Sequence, residues 1–235
     1  MTPRWALLTL AAAACSPSVS GEVRDATSGR PIAHAMVDVT TTGWGTRGGG
    51  LVWDKDYSYR AQTAADGQFR VAGADGGHRL TVSAPGYAAV QTSLCSRSPM
   101  TIWVGGPFDG GDFGKQLSIG TNQAGARVGW RFDGKGSQVP ESDADLTLVS
   151  FPADPKDLEL EAPSGMAFRG GTGNPPLPPS NGYARRMRIG PLECGWLFVR
   201  TRGSGTIPVR TGNLATMESP EIGRAVLLSY AVPRG

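Results

Sequence analysis

Histidine and cysteine are scarce in this 235-residue chain, with two of the first and three of the second. Charge is also sparse: 18% of residues are charged, and 23 basic against 20 acidic side chains leave a net charge of +3. So small and scattered an excess is no electrostatic footprint for nucleic acid. The low charge, beside 34 Gly and 18 Pro, excludes a coiled coil or charge-rich helical bundle, and the chain lacks the high net charge of disordered sequences. There is no H-E-x-x-H, no G-x-S-x-G and no P-loop, so common hydrolase and nucleotide signatures are missing. Without C-x-x-C or paired His, a zinc site has no ligand set, and no metal or other cofactor is expected. His34 and His78 read as surface residues at strand edges. Carboxylate pairs such as Asp54 and Asp56 say little about a glycosidase, since a spacing of two on a loop does not fix their separation. The chain is expected not to be an enzyme, a hydrolase being the weakest reading.

What is present begins at the N-terminus. Arg4 precedes an apolar run from Trp5 to Ala14, too short for a bilayer-spanning helix of ~20 residues. A positive residue, an apolar core and small residues before a boundary describe a secretory signal peptide over 1–14. The next residue is Cys15. The order Ala12-Ala13-Ala14-Cys15 resembles the lipobox of bacterial lipoproteins, with Ala12 where that family usually has Leu. The resemblance implies diacylglycerol on Cys15, cleavage just before it, and a short polar tether over 15–20. It also implies an envelope location, with Ser16 pointing to the outer membrane. Two or more acyl chains, at about 0.8 kcal/mol per buried CH₂, anchor a soluble domain stably. The alternative is an ordinary signal peptide with a chance Cys at its end.

Lipidation of Cys15 would leave Cys95 and Cys194. In an exported protein two remaining cysteines suggest one disulfide. Closing a loop of about 100 residues corresponds to ~4.7 kcal/mol in the chain-entropy model. Two buried thiols are the alternative.

From Val19 to Val104 short alternating runs are separated by turn signals, as in the layers of a β-sandwich. Ala35, Val37 and Val39 alternate with Met36, Asp38 and Thr40, Phe69 and Val71 with Gln68 and Arg70, and Leu80 and Val82 with Arg79 and Thr81, and Met100, Ile102 and Val104 close the series. Asp66-Gly67 suits a tight hairpin between Thr63 and Phe69. The order Gly21-x-Val23-x-Asp25, Gly29-x-Pro31-Ile32-x-x-Ala35-x-Val37-x-Val39, Thr63-x-x-Asp66-Gly67-x-Phe69-x-Val71 and Leu80-x-Val82-x-Ala84-x-Gly86-Tyr87 resembles the carboxypeptidase regulatory-like domain. The resemblance implies a seven-stranded, transthyretin-type β-sandwich over 21–104, a non-catalytic accessory of exported proteins. No metallocarboxypeptidase unit accompanies it. Carbohydrate-binding relatives share the fold, but a fold alone does not define a sugar site.

Residues 42–59 form an enlarged loop with respect to that pattern. It carries Trp44, Trp53, Asp54, Asp56, Tyr57 and Tyr59 among Gly and charged residues. Aromatic faces beside polar groups suit a sugar or a peptide. The competing reading is that the tryptophans pin a hairpin to the sandwich or to the second half.

A Gly-rich joint over 105–114 precedes a second β-rich, sandwich-like domain over 115–235. Strand patterns surround Val128, Leu146, Leu158, Met187 and Leu197. The run Ala225–Val232, apolar on both faces, reads as a central strand, with a helix capped at Ser219-Pro220 as its competitor. The interval from Glu141 to Glu161 holds seven acids and one Lys, and that from Tyr183 to Arg210 six Arg and one Glu. Calcium near Asp143 and Asp145, or an anion patch, compete with two strand faces that pair across a sheet. Asn174 to Pro179 reads as an exposed extended loop. The expectation for the whole is an all-β envelope lipoprotein with a structural, adhesion or partner-binding role. Its partners would be the membrane and an envelope protein or glycan.

Overall fold

The computed structural model describes residues 18–47, 50–74, 79–94, 99–108, 112–150, 158–190, 194–203, 205–219 and 223–232, with backbone alone for 43–47, 50–55, 112, 113, 150 and 213–219. Seven strands come first: β1 (Ser18–Asp25), β2 (Met36–Arg47), β3 (Gly50–Gln62), β4 (Gln68–Ala72), β5 (Arg79–Ser83), β6 (Val90–Thr92) and β7 (Met100–Val104). Two four-stranded sheets form from them, β3-β2-β5-β6 and β7-β1-β4, the latter extended by a strand from the second half. Alternation decides which side chains meet between the sheets. In β4 and β5 every second residue is buried, so Phe69, Val71, Leu80 and Val82 face Val23, Val37, Val39 and Ile102 in one core.

The Asp66-Gly67 turn is tight, as its residues require. Gly67 has φ +77°, and a Cβ there would lie 2.8 Å from the Val23 carbonyl oxygen. The turn does not close a hairpin within one sheet, however. β3 and β4 belong to opposite sheets, so the turn carries the chain across the edge of the sandwich.

The loop expected over 42–59 is also different in kind. β2 and β3 pair antiparallel from Met36↔Gln62 to Arg47↔Gly50, with one bulge between Gly43 and Gly45. β5 follows β2 only from Met36 to Thr40. The remainder is a two-stranded ribbon extending past its sheet. Thr40 to Thr42 and the Tyr57 and Tyr59 region are β-branched or aromatic, which suits extended backbone better than loop.

The second half adds β8 (Asp112–Thr121), β9 (Arg127–Arg131), β10 (Ser137–Pro140), β11 (Thr147–Ser150), β12 (Leu158–Gly170), β13 (Thr172–Gly173), β14 (Ala184–Ile189), β15 (Gly195–Arg200), β16 (Thr206–Ser219) and β17 (Gly223–Val232). A short 3₁₀ turn, Glu141–Asp143, precedes β11. The protein is all-β, a sandwich followed by a further β-rich region. All of β8 to β17 except β13 lie in one nine-stranded sheet, ordered β10-β9-β8-β17-β16-β15-β12-β11 with β14 beside β12. That sheet curls back on itself. Trp130 donates to the Leu146 carbonyl at 2.9 Å and Leu146 to the Trp130 carbonyl at 3.2 Å, bringing β9 to the start of β11. The result is barrel-like, with Leu117, Ile119, Leu146, Leu160, Met166, Leu197 and Leu228 inside. β17 is central, flanked by β16 and β8, so extended pairing prevails over a helix for Ala225–Val232.

Among the described residues no helix is long and apolar enough to cross a membrane.

Candidate functional site

The aromatic ribbon was the sequence's first candidate site. β3 alternates here: Asp56, Ser58 and Arg60 are exposed, while Tyr57, Tyr59 and Ala61 are half-buried. Tyr59 packs on the sandwich core and lies against Gly73, so its ring anchors the ribbon's base. Asp56 accepts a hydrogen bond from the Thr42 hydroxyl at 2.9 Å, linking the two strands. Tyr57 and Tyr59 thus share one face at the base of the ribbon, and Asp56 lies on the other. The backbone of Trp44, Trp53 and Asp54 lies in the ribbon, and their side chains fall outside the described residues.

The charged clusters resolve into strand pairing. Glu161 faces Arg186 and Glu159 faces Arg188 across β12 and β14, with ion pairs of 3.2 and 3.7 Å. Asp143 pairs with Arg131 at 3.5 Å. Asp145 is 2% exposed, and its two oxygens accept the backbone N–H groups of Phe132 at 2.8 Å and Arg202 at 2.9 Å. It ties β9 to the loop after β15. Among the described residues no three His, Cys, Asp or Glu side chains converge as metal ligands.

A second polar clasp sits in the sandwich. Asp25 accepts from the Tyr87 hydroxyl at 2.8 Å and from the Thr27 N–H at 3.0 Å. Burial works to raise the Asp25 carboxyl, but hydrogen bonds from Ser28, Tyr87 and Thr27 outweigh it and hold the carboxyl below its ordinary value. The same contact with Asp25, reinforced by burial, raises the Tyr87 phenol above its ordinary value.

The most extensive constellation is the seam between sandwich and barrel, which no motif in the sequence announces. β13 pairs in parallel with β7, Thr172↔Ile102 and Gly173↔Trp103, so the later chain supplies an edge strand to the sandwich. Ala26, Trp103, Phe108, Trp196, Phe198 and Ala231 form a third buried cluster there. Trp103 donates to the Gly170 carbonyl at 3.0 Å, Asn174 to the Gly105 carbonyl at 3.1 Å, and Leu177 to the Ala26 carbonyl at 2.9 Å. The Arg169 guanidinium lies 5.4 Å from the Trp103 ring centroid. Asn174, Pro175 and Pro176 are consequently buried, so the first half of the proline stretch, expected as an exposed loop, is not exposed. Phe108, inside the Gly-rich joint, is 5% exposed and part of the cluster.

One signal in the sequence points to this seam. Trp103 falls between Ile102 and Val104, on the face that alternation assigns to solvent, and that face is apolar only because something covers it. Trp196 and Phe198 break the alternation of β15 in the same way.

Against this geometry stands the comparison with known families. The family model of the carboxypeptidase regulatory-like domain matches residues 18–99, which span β1 to β6 and end at the threshold of β7. These residues form a carboxypeptidase regulatory-like domain. Such domains are non-catalytic in general. The Asp66-Gly67 turn and the Asp25–Tyr87 clasp therefore fall within this domain and support its fold. No curated protein and no solved structure matches the chain.

Of the cysteines, Cys15 and Cys95 lie outside the described residues. Cys194 precedes β15, and its carbonyl accepts the Gly171 N–H at 3.1 Å. Next to Gly171, the Thr172 hydroxyl contacts Thr92 at 2.6 Å and donates to the Ser93 carbonyl at 3.4 Å.

Proposed function

We propose that this protein is a non-catalytic, lipid-anchored component of a bacterial cell envelope that presents a binding surface close to a membrane. The observation that carries the reading is the short distance from Cys15 to folded chain, since β1 begins at Ser18. Three residues span at most ~10 Å when extended, so an acylated Cys15 would hold the regulatory-like domain against the lipid surface. Ser18, Val19 and Ser20, expected in the tether over 15–20, belong to β1. The non-catalytic character of regulatory-like domains and the accessory placement implied by the resemblance support the same reading. Metabolic labelling with a palmitate analogue tests it. The reading expects label in the membrane fraction, lost in Cys15→Ser; an unlabelled, freely secreted wild-type chain contradicts it.

The disulfide between Cys95 and Cys194 belongs to this proposal. What supports it is that the Gly171-Thr172 dipeptide contacts both the Cys194 carbonyl and the carbonyl of Ser93, which is two residues before Cys95 in sequence. A bridge there would staple the seam covalently. Mass spectrometry of the non-reduced protein is expected to find the linked peptides.

A second reading, carbohydrate binding, is favoured by the ribbon that extends past its sheet beyond Thr40. Loops and arms on a rigid sandwich are common binding sites. It expects glycan-array binding that falls about tenfold or more in Trp44→Ala and Trp53→Ala. Binding unchanged by both substitutions removes the ribbon from consideration.

A further inference from the structure

On the barrel face turned toward the sandwich, Trp196, Arg210 and Ser229 are direct neighbours across three strands, Trp196 opposite Arg210 and Arg210 opposite Ser229. With Gly114 and Tyr230 they line a pocket of about 190 Å³. Arg210 connects this pocket to the seam, because one guanidinium N–H donates to the Thr92 hydroxyl of the sandwich at 2.8 Å.

A guanidinium carries five donors. Among the described residues Thr92 is the one hydrogen-bond partner of the Arg210 guanidinium, and no carboxylate pairs with it. Arg24, Arg60, Arg127, Arg131, Arg186 and Arg188, by contrast, each pair with an acid. Arg210 is more deeply desolvated than an ordinary surface arginine, and burial alone pushes its guanidinium down from the usual value. A desolvated cation with idle donors is costly unless an acceptor, preferably an anion, meets it.

The pocket limits what that anion can be. Among the described residues one arginine lines it, so a single negative charge balances it better than a phosphate dianion. The planar guanidinium fork matches a carboxylate with two parallel hydrogen bonds. Trp196, on the same face as Arg210 and Ser229, favours a flat apolar body, while the Tyr230 ring turns into the barrel against Trp130 and Phe132. The volume is close to that of a cavity of about 150 Å³ that accommodates benzene.

We propose that this pocket binds a small organic carboxylate of the benzoate class, its carboxylate on Arg210 with the Ser229 hydroxyl as a further donor. This assignment does not rest on the lipid anchor, and either can fail without the other.

The test is calorimetric titration of the folded full chain with sodium benzoate, with inorganic phosphate as the comparison, at constant ionic strength. The proposal expects one saturable benzoate site, at least about tenfold tighter than phosphate, weakened about tenfold or more in Arg210→Met and less in Arg210→Lys. Absence of saturable benzoate binding overturns it. So does phosphate binding as tightly as benzoate, or benzoate affinity unchanged in Arg210→Met. Should Arg210→Met fail to fold, Ser229→Leu fills the pocket while leaving the cation in place. Wild-type affinity in a folded Ser229→Leu variant overturns the site, and loss of binding supports it.

Discussion

Asp145 and Asp25 do similar work in different halves of the protein. Each is a carboxylate placed where backbone donors would otherwise lack partners. The two N–H groups that Asp145 receives, from Phe132 and Arg202, come from segments far apart in sequence. Removing the side chain leaves both donors facing a buried space. Asp145→Ala is therefore expected to cost about 2–3 kcal/mol in urea denaturation, with Asp145→Asn losing less because one acceptor oxygen remains. A change within a few tenths of a kcal/mol, at unchanged m-value, would show that neither N–H depends on it.

The Asp25–Tyr87 pair adds a pH signature. The Asp25 carboxyl sits below its ordinary 3.8 in the folded state, so its contribution is present above that pH and fades as pH falls through the folded-state value. The Tyr87 phenol sits above its ordinary 10.0, so its contribution is present below that pH and fades as pH rises through the folded-state value. Tyr87→Phe removes one hydrogen bond to a charged acceptor and is expected to cost about 1–2 kcal/mol near neutrality. The difference between wild type and variant shrinks toward both extremes. A pH-independent difference would show that the contact contributes through packing alone.

At the scale of elements, the two charged intervals act as a ladder. Glu159–Arg188 and Glu161–Arg186 face each other across β12 and β14, with both arginines more than 60% exposed. Such pairs contribute about 0.2–1 kcal/mol and weaken in salt. A double-mutant cycle on Glu161 and Arg186 is expected to give a small coupling that disappears at about 1 M salt. A salt-insensitive coupling would contradict the exposed geometry.

Much of this level was legible in the residues. Period-two alternation marks β2, β4, β5 and β7, and burial in β4 and β5 follows it without exception. Ala225–Val232 declared itself central by being apolar on both faces. The Asp66-Gly67 turn was readable as a turn, since Gly67 needs positive φ, but which sheets it joins depends on pairing partners far away in the chain. The ribbon was harder to see. Gly and Trp between 43 and 53 weaken the alternation, and only the register with β2 shows the continuous pairing.

At the scale of the whole molecule, the seam makes the two halves one body. β13 leaves the barrel region to pair with β7, so a strand of one half completes a sheet of the other. Gly173 allows that pairing at φ +91°, where a Cβ would run into the Trp103 carbonyl. Within the interval 105–114 that composition presents as a joint, Phe108 enters the shared cluster, so the described start of the interval acts as packing. That role was invisible because linkers and close-packed backbone both favour glycine, and only an apolar residue on a nominally exposed face, as at Trp103, distinguishes them. A surface on either half, whether the ribbon or the Arg210 pocket, is then held in fixed relation to the N-terminal strand.

Scanning calorimetry of the full chain carrying Cys15→Ser tests this union most directly. One cooperative transition is expected, with calorimetric and van't Hoff enthalpies that agree. Gly173→Ala, or Trp103→Ala at a cost of about 3–5 kcal/mol, is further expected to lower that transition or divide it in two. Two separate transitions in the parent chain, or a single one that Trp103→Ala leaves unmoved, would contradict the union.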